Sequence, residues 1–216
     1  MTPAKGNIPV RMLPLGLAAA LLSGGLAADE RPADAGAGLR EFRMPSRSME
    51  PALRSGEQLT ARTRDFSPIA RGSIYLIRKQ GEIRALRVIG LPGDRVAITG
   101  GGVFLNDRAA SYSDPDPAGL AGHCTKGAPL FRREHLPDGE THVVMACDYR
   151  FGPDMPAIIV PAGQYFLLGD NRSNAADSRF PDTDSGVGLV SEADFVGKAE
   201  HISVSIDAAR IGKEID

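Results

Sequence analysis

The chain has 216 residues, enough for one globular domain or for a core carrying a sizeable insertion. Its 25 Lys and Arg against 27 Asp and Glu give a formal charge of -2, and with the basic residues dispersed no cationic face for nucleic acid forms. High Gly (25) and Pro (16), no Trp, and no long apolar helical stripe beyond the N-terminus indicate a mainly β, turn-rich protein.

Lys5 and Arg11 precede an apolar run from Met12 to Ala28, and Asp29 and Glu30 follow it. Gly25-Leu26-Ala27 offers small residues at the two positions flanking a cleavage site. The run contains Pro14, Gly16, Gly24 and Gly25 and is short beside the ~20 residues of a spanning helix. Residues 1–28 therefore read as a cleaved signal peptide or a short retained anchor, against the plainer alternative of an N-terminal core helix. Positive charge before the run and negative charge after it put the body outside the cytoplasm in the first two cases. Residues 29–41, rich in Ala, Gly and Asp, read as a linker.

From Phe42 onward short apolar runs alternate with turns. Strands are predicted over Gln58–Arg62, Ser73–Lys79, Ile83–Ile89, Arg95–Thr99, Val103–Leu105, His142–Ala146, Ala157–Val160, Gln164–Leu168 and Val196–Ile206. Gln80-Gly81 and Gly100-Gly101-Gly102 read as hairpin turns. A phosphate cradle at the triple glycine would need a helix with Lys and Ser or Thr after it, which is absent. Residues 107–156 hold Asp-Pro-Asp-Pro, both cysteines and most of the histidines, with one convincing strand. They read as a loop-rich subdomain inserted into a β core formed by 42–106 and 157–206, with 207–216 as a tail. Cys124 and Cys147 suit an oxidising compartment, either as one disulfide closing a surface loop or as two free thiols. The cysteines and histidines have no short ligand spacing, so no metal site and no organic cofactor is expected.

Three segments carry chemistry: Pro45-Ser46-Arg47-Ser48-Met49-Glu50-Pro51, Leu86-Arg87-Val88-Ile89-Gly90-Leu91-Pro92-Gly93-Asp94, and Gly169-Asp170-Asn171-Arg172-Ser173-Asn174-Ala175-Ala176-Asp177-Ser178-Arg179. A lone Ser-x-Ser-Met-x-Pro is weak, since two turn serines are common. In this order and spacing, however, the three together resemble the signature of the type I signal peptidase (signal peptidase I, leader peptidase) family. These are membrane-anchored serine endopeptidases that remove signal sequences from exported proteins, and the resemblance spans most of Phe42 to Ala199. It implies a coiled antiparallel β-sheet core, a retained N-terminal anchor, and a monomer acting at the outer face of the cytoplasmic membrane on signal-peptide-bearing precursors. It also implies Ser48 as nucleophile, with the Ser46 hydroxyl and the Ser48 N–H as oxyanion donors. Phe42, Met44, Ile89 and Leu91 are candidates to line pockets for small substrate side chains, although core packing suits each equally. Arg87, Asp94, Asp170, Asn171, Arg172, Asp177 and Arg179 read as scaffold, with Arg87 pairing Asp170 and the charges of alternating sign in the third segment pairing among themselves.

Two positions depart from the resemblance. The family's general-base lysine is replaced by Leu86, and the serine that orients that lysine by Ala175. Such a lysine works only when burial lowers its pKa from ~10.4 towards neutrality, and leucine has no lone pair. In a hairpin turning at 79–82, Tyr75 pairs with Leu86, Ile77 with Arg84 and Lys79 with Glu82. Lys79 then shares a face with Leu86 about 13 Å away at ~3.3 Å per residue. Arg84 is nearer, but a guanidinium does not give up its proton. None of His123, His135, His142 and His201 falls at the base position. Leu86 with Ala175 forms a consistent apolar pair, because a buried serine hydroxyl without its lysine costs stability. The expectation is an impaired serine endopeptidase of this family. The competing reading is a non-catalytic, signal-peptide-binding or regulatory homologue, and a third is an active enzyme with a remote base.

Overall fold

The computed structural model describes residues 30–34, 38–147, 151–183 and 185–215. The expected export segment, residues 12–28, lies outside them. Among the described residues no helix is long and apolar enough to cross a membrane.

The protein is mainly β. In chain order the strands are β1 (Glu30–Asp34), β2 (Leu39–Arg43), β3 (Gln58–Arg62), β4 (Ile74–Lys79), β5 (Glu82–Gly90), β6 (Arg95–Thr99), β7 (Gly102–Leu105) and β8 (Arg108–Ala109). They continue as β9 (Ser111–Ser113), β10 (Pro129–His135), β11 (Thr141–Cys147), β12 (Met155–Ile159), β13 (Gln164–Leu168), β14 (Val190–Ser191) and β15 (Phe195–Val204). Three antiparallel sheets result, ordered β1-β2-β3-β15-β4-β5-β13-β14, β12-β6-β7-β8 and β11-β10-β9.

The β4–β5 hairpin turns on Gln80 and Gly81, whose φ values of 54° and 79° match the right-handed strand twist. Its register pairs Tyr75 with Leu86, Ile77 with Arg84 and Lys79 with Glu82. From Ala85 to Gly90 every residue of β5 is buried, because the strand runs between two cores. Leu86 and Val88 join Phe42, Leu59, Leu76 and Leu167 in one, while Ile89 joins Val96, Phe166 and Leu168 in the other. Strand β13 alternates likewise, with Tyr165 and Leu167 on one side and Phe166 and Leu168 on the other. That is the period-two consequence of a pleat with apolar residues on both faces.

Several stretches hold more order than their sequence suggests. Strand pairing begins at Glu30, inside the expected linker. Residues 107–156 contain a sheet of their own, with β10 pairing along its whole length with β11 and partly with β9. Strand β10 reads Pro-Leu-Phe-Arg-Arg-Glu-His, whose charges hide its strand character until Glu134 is seen to be fully buried. Cys124 and Cys147 form a disulfide. The tail folds back through a short 3-10 turn at Ala208–Arg210, where Arg210 Nε donates to Glu57 Oε1 (2.6 Å) and Nη2 to Oε2 (2.9 Å).

Candidate active site

Between β2 and β3 the chain makes a tight excursion carrying Ser46 and Ser48. Met49 and Leu53 are buried in the first core and joined by a backbone hydrogen bond from Leu53 N to Met49 O (2.9 Å). The apolar anchors hold the turn while Ser46 stays exposed and Ser48 half-buried. The Ser46 and Ser48 hydroxyls hydrogen-bond at 2.9 Å, and Ser48 N–H points at Ser46 Oγ at 3.4 Å. Both residues that the sequence nominates as nucleophile and oxyanion donor are therefore side by side.

A second loop clasps this turn. Asn171 N donates to Ser48 O (3.0 Å) and Asn171 Nδ2 to Arg47 O (3.1 Å). Gly169 sits so close that a Cβ there would lie 2.2 Å from Ala175 Cβ and 2.7 Å from Ser48 O, well inside van der Waals contact. Only glycine fits. Ala175 is thus packed directly behind the serine turn.

Ser46, Ser48 and Leu86 line one pocket of about 170 Å³, together with Met44, Glu82 and Arg84. Of the residues considered for substrate pockets, Met44 borders this space. Phe42 and Ile89 are fully buried in the two cores, and Leu91 packs partly buried against the first. Packing, not pocket lining, is what the structure gives those three.

No described lysine or histidine hydrogen-bonds Ser48, whose hydroxyl partner is Ser46. Lys79 Nζ is held 3.1 Å from Asp194 and 3.5 Å from Asp182. His135 Nε2 bonds Ser113 Oγ at 2.8 Å, and His201 lies on β15 opposite Thr60. His142 is buried, its Nε2 3.0 Å from Glu134 Oε2. Burial, and then the Arg87 charge, push its pKa down, and neither ring nitrogen has a hydrogen-bond partner on the serine turn. His123 and Lys126 line a neighbouring pocket. Leu86, 1% exposed, offers only methyl groups.

The scaffold is built from buried ion pairs. Arg87 grips Asp170 with both arms, Nε to Oδ1 at 2.8 Å and Nη2 to Oδ2 at 2.7 Å, and reaches the Gly72 carbonyl. Arg179 holds Asp177 through Nε and Nη2, each 2.8 Å, and Asp177 Oδ2 also accepts Gly169 N–H (3.0 Å). Arg172 pairs outside its own loop, with Glu134 of β10 (Nη1 to Oε1, 2.9 Å), so the expected pairing within the segment holds for Asp177 with Arg179 alone. Burial would raise the Glu134 carboxyl, but the Arg172 charge, the adjacent His142 imidazole and the Arg172 hydrogen bonds outweigh it and hold it well below the usual range. Asp94 is remote from the serines: it caps its own turn by accepting Leu91 N–H (2.6 Å) and pairs with Arg71 (2.7 Å). Among the described residues no cluster of His, Cys, Asp and Glu has the makings of a metal site.

Glu134, Glu57 and Arg210 were not singled out from sequence. Acids and a base far apart in the chain give no local pattern, and only burial reveals them.

Residues 36–204 match the family model described as "Signal peptidase, peptidase S26". "Signal peptidase I U" of Bacillus subtilis (strain 168) is 27% identical over 162 residues, covering 73% of this chain and 72% of its own length. "Signal peptidase I" of Leptolyngbya laminosa is 30% identical over 168 residues, 72% of this chain and 64% of that protein. A crystal structure of a signal peptidase I from Enterococcus faecalis aligns with 61% of this chain and 97% of its own at 22% identity and a TM-score of 0.38.

Proposed function

Because the chain belongs to the signal peptidase family, matched over residues 36–204, we propose that it takes signal-peptide-bearing exported precursors at the outer face of the cytoplasmic membrane, as a monomer, and hydrolyses them far more slowly than a member with a lysine base. The observation that carries this reading is the Ser46–Ser48 hydroxyl pair on the wall of the same pocket as Leu86. Amide hydrolysis needs a nucleophile, a proton acceptor and oxyanion donors. Ser48 supplies the first and Ser46 with the Ser48 N–H the third. The family's acceptor position is held by Leu86, which has no lone pair, and Ser48's hydroxyl bonds Ser46 rather than any described lysine or histidine.

Substrate docking finds support in the sheet. The pairing of β13 with β5 ends at Leu168 with Arg87, so residues 82–86 have no strand on that backbone edge among the described residues, and this edge borders the pocket. An extended peptide laid along it adds a strand, its main chain giving affinity and its small side chains dropping towards Met44 and Leu86. Removing one member of a catalytic set leaves ~10³–10⁴-fold acceleration over water through the oxyanion hole and binding, hence slow turnover rather than none.

Leu86 with Ala175 favours a second reading, a non-catalytic homologue that holds signal-peptide segments or modulates a competent peptidase. Cleavage of a signal-peptide substrate by the natural chain, by Ser48→Ala, and by Leu86→Lys with Ala175→Ser separates the two. Slow cleavage lost in Ser48→Ala supports the impaired enzyme. No cleavage until the double replacement supports the binder. Fast cleavage by the natural chain would refute the missing-base premise.

A further inference from the structure

On the other side of the serine turn the surface opens into a larger pocket of about 610 Å³, lined by Arg47, His123, Thr125, Lys126, Ser173 and Asn174. Asn174 also borders the Ser48 pocket, so the two spaces meet at Asn174, and Arg47 of the larger pocket stands between the two serines in the chain. No acid is among the described residues that line the larger pocket. Glu50, 5% exposed, does not line the pocket but contacts two residues that do: Oε2 accepts the His123 backbone N–H at 2.8 Å and Oε1 lies 4.0 Å from Arg47 Nε. Lys126 is exposed and has no ion-pair partner among the described residues.

The walls are tied together. The Cys124–Cys147 disulfide fixes the segment that carries His123 and Lys126 to the end of β11, and Cys147 N–H donates to Ser173 Oγ (2.8 Å) on the loop that clasps the serine turn. A pocket held by a covalent bond keeps its charges in place before a ligand arrives, which lowers the ordering cost of binding. Its cations and hydroxyls favour a carboxylate there over its neutral amide counterpart.

We infer that this pocket is a subsite for an acidic side chain of the precursor, within the few residues that follow the scissile bond, while the residues before the bond occupy the Ser48 pocket. The inference rests on the peptide-binding reading above and deepens it. It follows from the path of a bound strand: a chain leaving the Ser48 pocket past Arg47 and Asn174 enters this space next.

The test is binding, which needs no turnover. Fluorescent peptides with Ala-x-Ala before the bond, and either Glu or Gln at the three positions after it, are titrated into the full-length chain carrying Ser48→Ala, in detergent micelles. The Glu peptide is expected to bind about tenfold more tightly at low salt, the advantage shrinking as salt screens it. Lys126→Glu and, separately, Arg47→Gln should each shrink the ratio of Glu-peptide to Gln-peptide affinity, which is read within each variant. Equal affinity for the two peptides overturns the acidic subsite while leaving peptide binding intact. A preference that survives both substitutions overturns its location. Failure of both peptides to bind overturns the peptide-binding reading and this inference with it.

Discussion

At the scale of single residues, the proposed loss of activity turns on Leu86. It is 1% exposed, so a lysine there would be desolvated and its pKa pulled down from ~10.4. The neutral amine is the base, so activity of the Leu86→Lys, Ala175→Ser protein should rise with pH through that lowered pKa. A positioned base contributes ~10²–10⁴-fold, and turnover against pH checks both the gain and its sign. Gly169 is the second such residue, since any Cβ meets Ala175 and the Ser48 carbonyl. Gly169→Ala should cost about 1–3 kcal/mol through overpacking, read as a lower urea midpoint. The sequence points to Ser46, Ser48, Leu86 and Ala175 because they fall inside contiguous strings. It does not separate Met44, which borders the pocket, from Phe42 and Ile89, which are core, because an apolar residue on a strand looks the same in either role.

At the scale of elements, the β4–β5 hairpin was readable down to its register, because Gln80-Gly81 fixes the turn and the turn fixes the pairs. That register also places Lys79 near the turn end of β4, opposite Glu82, where Asp194 takes it up. Strand β10 escaped notice because its acid is buried against an arginine from a distant loop (Arg172 Nη2 to Glu134 Oε2, 2.5 Å), which inverts the polar-outside rule. The disulfide spans a sequence separation of 23, and loop closure of that length constrains the unfolded chain by about 3 kcal/mol. Cys124→Ser with Cys147→Ser should lower stability by that order, measured by denaturant unfolding. It should also deprotect the amides of 121–127 from hydrogen exchange before those of β4 and β5.

At the scale of the whole molecule, buried ion pairs bolt the sheets together. Arg87 of β5 holds Asp170 with both side chains nearly inaccessible, and Glu134 of β10 joins Arg172 across to the same loop. Asp170→Ala strands an unpaired guanidinium and should cost about 3–5 kcal/mol. A double-mutant cycle with Arg87→Met should recover most of that as coupling, and no coupling would dismiss the pair as a stabilising unit. Acid should unfold the protein in steps whose sign is set by these groups. The His142 pKa is lowered in the fold, by burial first, so below the ordinary histidine value of 6.5 the unfolded chain takes the proton and stability begins to fall. The carboxyls of Glu57, Glu134 and Asp94 are also lowered, their ion pairs and hydrogen bonds outweighing burial. Their contribution is present above the ordinary carboxylate values of 4.5 and 3.8 and is lost as pH drops through those and beyond. Unfolding midpoints from pH 7 to 3 measure this decline, and Glu134→Gln should flatten its acid limb. The sequence by itself determined the β class, most strand positions, the serine turn and the leucine at 86, because strand period, turn chemistry and motif strings are local. Only the tertiary structure decided which apolar residues line the pocket, that Glu134 rather than a loop neighbour receives Arg172, and that Arg47 and Lys126 share the described wall of a second pocket. Those depend on which distant segments the sheets bring within a few ångströms, and no local pattern encodes that.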